Sequence, residues 1–383
     1  MAKRKNNIDD IDIHDDFELE DIDDFDPFDV LDDSYEDEKS YGNDKPQGGN
    51  TSNKRNKPVL VWAGRVGATL LSTILILVIF LYAVMAMLVY GPSKTAKIQF
   101  VLSVQETSAI GFLANWFCSQ DEIDQIKANN AIKDTDEITD AGLVNIDTAA
   151  QDPETPDIEI VDVKGATYSG KLMIVKDPAR LFVGTVPEFT NGNGMVVADI
   201  AKRYDAIGGV NGGEFVDGET TYTAMPIGLV MKDGEILNDN GGTSHVTGIT
   251  FDNKLVLGNM NATKAKELNI RDCVSISNHI GPFLIVNGEA QDIVGIAGGT
   301  NPRTAIGQTA DGKILLLAVD GRQPNSIGAT FSDLQDIMAQ YGAVNASTMD
   351  GGTSTQMYYD GEVINVPYSP TGPRSCPTAF LIK

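Results

Sequence analysis

The sequence predicts an α+β domain of mostly antiparallel strands and hairpins with a few helices, preceded by a single transmembrane helix and a disordered acidic tail. Three observations carry this. Short strand-like segments separated by turn dipeptides recur from residue 158 to the end. An uncharged run covers Val66–Ser93. Acidic residues crowd the first forty positions. The chain has 383 residues, 42% of them hydrophobic, which is enough for one large domain with appendages.

The N-terminal element comes first. Residues 1–40 hold seventeen Asp or Glu against four Lys or Arg, so about half of the net charge of −25 sits in a tenth of the chain. Self-repulsion with little apolar surface predicts a disordered cytoplasmic tail and linker over residues 1–57. Phe17, Phe25 and Phe28 recur among the acids, a pattern that also suits docking to a basic cytoplasmic partner. No basic patch interleaved with aromatics is present, which argues against nucleic-acid binding.

The membrane element is next. Leu70 to Val89 is almost continuously apolar, and residues 66–90 suffice to cross a hydrocarbon core of roughly 30 Å as a helix. Some 65 residues precede it, unlike a cleaved signal peptide. Lys54, Arg55, Lys57 and Arg65 flank one side, Lys94 and Lys97 the other. This bias predicts a single-pass cell-membrane protein with a cytoplasmic N-terminus and residues 94–383 outside.

Residues 94–132 read as a juxtamembrane helical stalk. Phe100, Val104, Ile110, Leu113, Phe117, Ile123 and Ile126 form an approximate apolar stripe. It suits packing on its own domain, on a second copy, or at the membrane surface near Trp116. Residues 133–157, acidic with Pro153 and Pro156, read as an exposed linker. The folded domain is then 158–383. Its expected strands are Ile158–Val163, Leu172–Val175, Leu181–Val183, Gly228–Met231, Glu235–Leu237, Phe283–Val286, Ala305–Gln308, Ile314–Val319, Met357–Tyr359 and Thr378–Ile382. Turns at Lys232-Asp233-Gly234, Asn287-Gly288 and Ala310-Asp311-Gly312 mark hairpins. Helices are expected over Val197–Tyr204 and Ser332–Tyr341. No fixed-period repeat is present.

Of the three cysteines, only Cys273 and Cys376 fall in this domain, where an external location tolerates a disulfide. No CxxC or Cys/His cluster gives a zinc signature. Gly-x-Ser-x-Gly, Walker and dinucleotide motifs are absent.

Three motifs stand out. They are Asn211-Gly212-Gly213-Glu214-Phe215, Arg303-Thr304-Ala305-Ile306-Gly307 and Asp350-Gly351-Gly352-Thr353-Ser354-Thr355-Gln356. Each sets an amide or charged side chain beside glycine at the end of an apolar run, where a ligand can approach the backbone. The Asp350 loop also reads more plainly as a turn and Arg303 as a surface ion-pair residue, while the glycines at 208, 209, 212 and 213 read as a tight bend beside a ligand rather than a strand interior. The glycines at 351 and 352 suit a backbone nest for an anion. Arg303 offers the planar fork that matches phosphate oxygens. Asp320-Gly321-Arg322 closes the hairpin that starts at Arg303. His245 and His279 are the only histidines outside the tail, and Gly372-Pro373-Arg374 precedes the last strand.

In this order the motifs resemble the phosphodiester glycosidase family over about residues 158–383. The match in the Asp350 loop runs through Asn345, Ala346, Asp350, Gly351, Gly352 and Ser354. Met349 and Thr353 replace a leucine and a third glycine. The family motif is identical at Arg303–Gly307, and Asp320-Gly321, Gly281-Pro282 and Arg374 also match. Glu214 stands where the family generally has an aromatic, as a carboxylate at the site or as a surface residue.

The resemblance implies hydrolysis of the bond between a sugar anomeric carbon and a phosphate. That chemistry needs a carboxylate as nucleophile or water activator, and cations can replace the acid that ordinary glycosidases use. The expected catalytic carboxylates are Asp350, then Asp320 and Glu214. Expected substrate ligands are Arg303, Arg374, Asn211, Gly212, Gly213, Gly351, Gly352, Ser354, Thr304 and His279. No cofactor is required; a Ca²⁺ or Mg²⁺ at the Asp/Asn loops would be chemically reasonable, but the sequence places none. The expected partners are a sugar-phosphate or glycan of the envelope or extracellular space, and the membrane. A non-catalytic glycan-binding or envelope- and exopolysaccharide-assembly role is the alternative; turnover would discriminate.

Overall fold

A computed structural model describes residues 57–105, 110–130, 132–133, 135–146, 157–216, 222–277, 280–369 and 372–383. The acidic tail expected over 1–57 lies, apart from Lys57, outside the described residues. The helices are α1 (Lys57–Tyr90), α2 (Lys94–Gln105), α3 (Phe112–Asn115), α4 (Gln120–Asn129), α5 (Val197–Arg203), α6 (Ala262–Glu267) and α7 (Phe331–Gln340). The strands are β1 (Ile158–Lys164), β2 (Ser169–Val175), β3 (Leu181–Thr185), β4 (Gly208–Asn211), β5 (Val230–Lys232), β6 (Glu235–Asn238), β7 (Ser244–Thr250), β8 (Leu255–Met260), β9 (Ile270–Ser275), β10 (Phe283–Val286), β11 (Glu289–Ala290), β12 (Arg303–Thr309), β13 (Ile314–Val319), β14 (Ala343–Met349), β15 (Met357–Tyr359), β16 (Glu362–Val363) and β17 (Thr378–Ile382).

α1 is one candidate membrane span: Gly64–Tyr90 is long and apolar enough to cross a bilayer. The chain after it does not continue as one stalk. α2, α3 and α4 are short and gather around Phe117, with Val101, Val104, Ala114 and Ile123 buried beside Val89 of α1. Residues 135–146 also differ from a free linker. Thr139 N–H donates to Leu257 O (3.0 Å) and Asn145 N–H to Ala310 O (2.9 Å), lacing the segment across the domain. Val144 and Thr139 are buried there, which the acidic composition conceals.

The domain is α+β, and its strand pairings are antiparallel. A seven-stranded sheet runs β1-β2-β13-β12-β14-β10-β11, and two five-stranded sheets run β16-β15-β4-β17-β3 and β6-β5-β9-β7-β8. One face of the large sheet packs on both smaller sheets through Met173, Leu316, Ile306, Leu255, Val210 and Phe380. Its other face packs on α7 through Leu172, Leu315, Leu317 and Phe331. β13 shows why its sequence does not alternate. Ile314, Leu316 and Ala318 serve the first core, and Leu315, Leu317 and Val319 the second, so both faces need apolar side chains. α5 and α6 cover the outer faces of the two small sheets.

Local chemistry sets the ends of these elements. Thr330 and Asp333 form a reciprocal capping box, so α7 starts at Phe331, one residue before the expected start. The Asp233-Gly234 and Asn287-Gly288 turns have positive φ at both residues, the hairpin geometry those dipeptides favour. All three cysteines are free and buried, so Cys273 and Cys376 form no disulfide. Cys273 faces Met231 and Gly248 across β5 and β7, whereas Cys376 bridges Met195.

Candidate functional site

Strand register brings the motifs to one end of the domain. Arg303 opens β12 opposite Val319, the end of β13, and Thr304 lies opposite Met349, the end of β14. In the neighbouring sheet Asn211 ends β4 opposite Ala379, and Met357 opens β15 opposite Val210. Asp320, Asp350, Asn211 and the 372–377 segment therefore leave their sheets side by side.

Asn211 joins these loops and is 1% exposed. Its Nδ2 donates to Asp350 O (2.7 Å), and its Oδ1 accepts from Thr304 Oγ1 (2.8 Å) and Gln356 N (3.2 Å). The amide of Asn211, expected as a sugar ligand, thus bonds β12 at Thr304 and the 350–356 segment at two points. Gln356 extends the network, donating to Arg374 O (2.7 Å) while its Oε1 accepts from Val197 N (3.2 Å). Gly213 reflects packing as well. A Cβ there would lie 2.3 Å from Ser275 O, so the glycine lets two backbones meet.

Asp350 is half-buried, and its Oδ1 accepts from Gly351 N (3.0 Å). Burial pushes its carboxyl up to about 6. The Ser354 hydroxyl and Arg374 pull it back, and Glu214 adds to the rise. Ser354 faces the carboxylate, although the pair falls short of a well-formed hydrogen bond. Glu214 is buried rather than on the surface. Its Oε2 accepts from Ser277 N (2.8 Å) and Ser277 Oγ (2.5 Å). Arg374 stacks over the Phe215 ring at 5.1 Å. Backbone bonds draw the same segments together, Asp350 N–H to Gly212 O (3.2 Å) and Arg374 N–H to Thr353 O (3.4 Å), so Asp350, Glu214, Arg374 and Ser354 form one electrostatic cluster.

A second cation lies at the glycine turn. Gly352 has φ +61°, and the Arg322 guanidinium nitrogens lie 3.5 and 3.7 Å from where its Cβ would stand. Arg322 Nη2 donates to Asn301 Oδ1 (3.2 Å). Thr353, in place of the family's third glycine, has no positive φ, so the substitution strains nothing.

Arg303 and Asp320 are placed differently from expectation. Arg303 is 4% exposed and points to the α7 face of its strand, away from Thr304. Its guanidinium lies 3.9 Å from the Phe331 ring centre and donates to the carbonyls of Gly298, Gly299 and Ala329. Asp320 Oδ1 accepts from Val366 N (2.8 Å) and Asn365 Nδ2 (3.1 Å), clamping that loop, and burial raises its pKa. His279 lies outside the described residues. The Cys376 thiol, pushed up to about 12 by burial and then by Asp350, is no nucleophile. Among the described residues no group of three or more His, Cys, Asp or Glu could hold a metal ion.

Sequence reasoning missed Ser277, and it gave no role to Gln356 or Phe215 although both stand inside the motifs; nothing local reveals what stacks on Phe215. A cleft of about 370 Å³, lined by Thr309, Asp311, Lys313 and Tyr341, sits at the far end of the β12–β13 hairpin. That is roughly 20 Å from Arg303 at strand rise, so it is separate from the carboxylate cluster.

A family model for phosphodiester glycosidases (NAGPA) matches residues 204–383. The SPbeta prophage-derived uncharacterized protein YomE of Bacillus subtilis (strain 168) is 28% identical over 197 residues, covering 49% of this chain and 29% of its own length. N-acetylglucosamine-1-phosphodiester alpha-N-acetylglucosaminidase of Mus musculus is 25% identical over 225 residues, covering 53% of this chain and 42% of its own. The chain thus spans less than half the length of these curated relatives. The catalytic domain of the zebrafish N-acetylglucosamine-1-phosphodiester alpha-N-acetylglucosaminidase superposes with a TM-score of 0.49 at 23% identity, covering 60% of this chain and 85% of that one. Asn211, Glu214, Arg303, Asp320, Asp350 and Arg374 all fall inside the family-matched stretch, and the chain is there a distant homologue of the phosphodiester glycosidase family.

Proposed function

We propose that this protein is a membrane-anchored hydrolase that cleaves the glycosidic C–O bond of a sugar-1-phosphodiester. One observation carries the reading: two carboxylates, Asp350 and Glu214, lie in one electrostatic cluster with Arg374, beside a glycine turn covered by Arg322. Asp350 is the nucleophile or the base that activates water. A carboxyl near 6 is a stronger base than an ordinary aspartate and is still ionised at neutral pH. Glu214, oriented by two donors from Ser277, holds the second carboxylate position.

Arg374 and Arg322 supply the cationic side. The C1–O bond breaks, the phosphate monoester leaves carrying its bridging oxygen, and water delivers hydroxide to C1. Its proton passes to the carboxylate. Positive charge beside the departing phosphate replaces the protonation that a neutral leaving group would need. Gly351, Gly352 and Ser354 line the approach to the phosphate. Arg303, Asn211 and Thr304 act through position, as buried struts beneath the loops. Asp320 holds the 365–366 loop, to which Gln323, the residue after Arg322, also donates.

The substrate belongs to envelope or extracellular glycans, with the N-terminus cytoplasmic, the C-terminal domain outside and a cytoplasmic partner for the acidic tail. Hydrolysis of a sugar-1-phosphodiester in water enriched in heavy oxygen tests the reaction. Label in the sugar hydroxyl supports it. Label in the phosphate would mean P–O cleavage, and binding without turnover would mean a glycan-binding accessory.

A further inference from the structure

A patch of exposed aromatic side chains on α3 has no part in the site. Phe112 is 53% exposed and Trp116 59%, with exposed Ile110 alongside. The Phe112 and Trp116 rings pack edge-on at 5.4 Å. Neighbouring Phe117 fixes their level along α1. Its ring lies 5.1 Å from Tyr82, and its carbonyl accepts from Tyr90 Oη (2.8 Å). Met85, Ala86 and Val89 close the same small core.

Tyr82 precedes the end of α1 by about 12 Å of helix. A hydrocarbon core takes about 20 residues, which counted from Arg65 end near Met85. Tyr82 then sits at the edge of the hydrocarbon and Tyr90 in the headgroup layer. Phe117 touches both, so α3 lies at the boundary itself. Trp and Tyr rings favour that boundary, and α2 begins with an exposed Lys94.

We infer that α2–α4 form a foot bedded in the bilayer interface, with Phe112 and Trp116 anchored where headgroups meet acyl chains. The inference rests on reading α1 as a membrane span. The occupant of the patch is the lipid surface, because Phe117, next in the chain to Trp116, packs on Tyr82 and Tyr90, which are exposed on α1. The foot also grips the site end of the domain. Ser103 Oγ accepts from Thr300 N (3.2 Å) and Asn130 Oδ1 from Ile296 N (3.2 Å), while the next residue, Asn301, orients Arg322. The foot thereby holds the cationic side of the site toward the bilayer, and the substrate class narrows to sugar phosphodiesters presented at the membrane surface.

Trp62 and Trp116 are the only tryptophans. The full chain carrying Trp62→Phe, in phosphatidylcholine nanodiscs, therefore reports on Trp116 alone. The expected result is blue-shifted emission, quenched strongly by lipids doxyl-labelled near the headgroup and weakly by lipids labelled near the chain end. Incorporated protein with water-like emission, open to acrylamide and blind to both labelled lipids, overturns the foot but leaves the span and the proposed activity standing. Blue-shifted emission that ignores the labelled lipids and varies with protein density assigns the patch to a second copy, and also overturns it. Failure to incorporate overturns the span and the foot together.

Discussion

The two ends of the β12–β13 hairpin carry polar residues of opposite kinds. At the far end, Asp311 and Lys313 form a solvent-accessible ion pair at 2.9 Å beside an open cleft. At the near end, Asn211, Thr304 and Gln356 are buried, and their bonds tie the ends of β4 and β12 to the 350–356 and 372–377 segments. Burying polar groups is costly unless they are bonded, and a bonded network fixes position. The exposed pair contributes little to either stability or geometry. The contrast teaches that a charged residue marks a site less well than a buried amide that organises charged residues around it.

Among the groups around Asp350, the largest effect expected from breaking this contrast is at Arg374. Arg374→Ala removes the cation that Asp350 senses and should lower turnover of a sugar-1-phosphodiester by about 10²–10³, the scale of losing one oriented charge donor. Arg303→Lys gives the companion result. It disturbs a buried guanidinium stacked on Phe331, so denaturant unfolding should record a loss of about 1–3 kcal/mol, larger in proportion than the loss of turnover. A reversed order would restore Arg303 as the phosphate ligand.

Next comes Asn211→Ala. It leaves Thr304 Oγ1 and Gln356 N without their shared acceptor and should cost about 2–4 kcal/mol in a denaturant titration. Activity should fall with it, because the Asp350 loop loses its tether. The smallest effect is at the far end: Lys313→Ala should change stability by less than about 0.5 kcal/mol and leave turnover intact. A clear loss of turnover there would move the site to the far cleft.

Much of this was legible in the sequence because the signals were local. Asp233-Gly234 and Asn287-Gly288 specify their turns by the φ they tolerate, and Phe283–Val286, Ile314–Val319 and Thr378–Ile382 match observed strands. β7, β9 and β14 were harder to see. Their Thr, Ser, Asn and Asp residues are buried between sheets, where polar side chains bond across layers, as Thr247 Oγ1 does to Ser347 Oγ (2.9 Å). The break of 94–132 into three helices was hidden for a related reason: one apolar stripe suits a long helix or several short ones folded on a common core. The motifs located the neighbouring strand ends where the candidate cluster lies. The direction in which Arg303 points, and the partners of Glu214, depend on register and on Ser277, which lies 63 residues away.

The central claim is that Asp350 carries the chemistry, and Asp350→Asn tests it most directly. A carboxyl raised from its ordinary 3.8 to about 6 holds more protons in the folded than in the unfolded state across that window. Stability contributed by the group therefore falls as pH rises from about 4 to 6, and stays lower above it. The Asn variant should lose that slope and be at least as stable as the parent at neutral pH. The parent's turnover should rise with pH through about 6 as the carboxylate forms. The measurement is the pH profile of sugar-1-phosphodiester hydrolysis by parent and variant, each shown folded. The account predicts that the variant loses about two to four orders of magnitude of turnover while still binding substrate. A folded variant with normal turnover and an unchanged profile would contradict it.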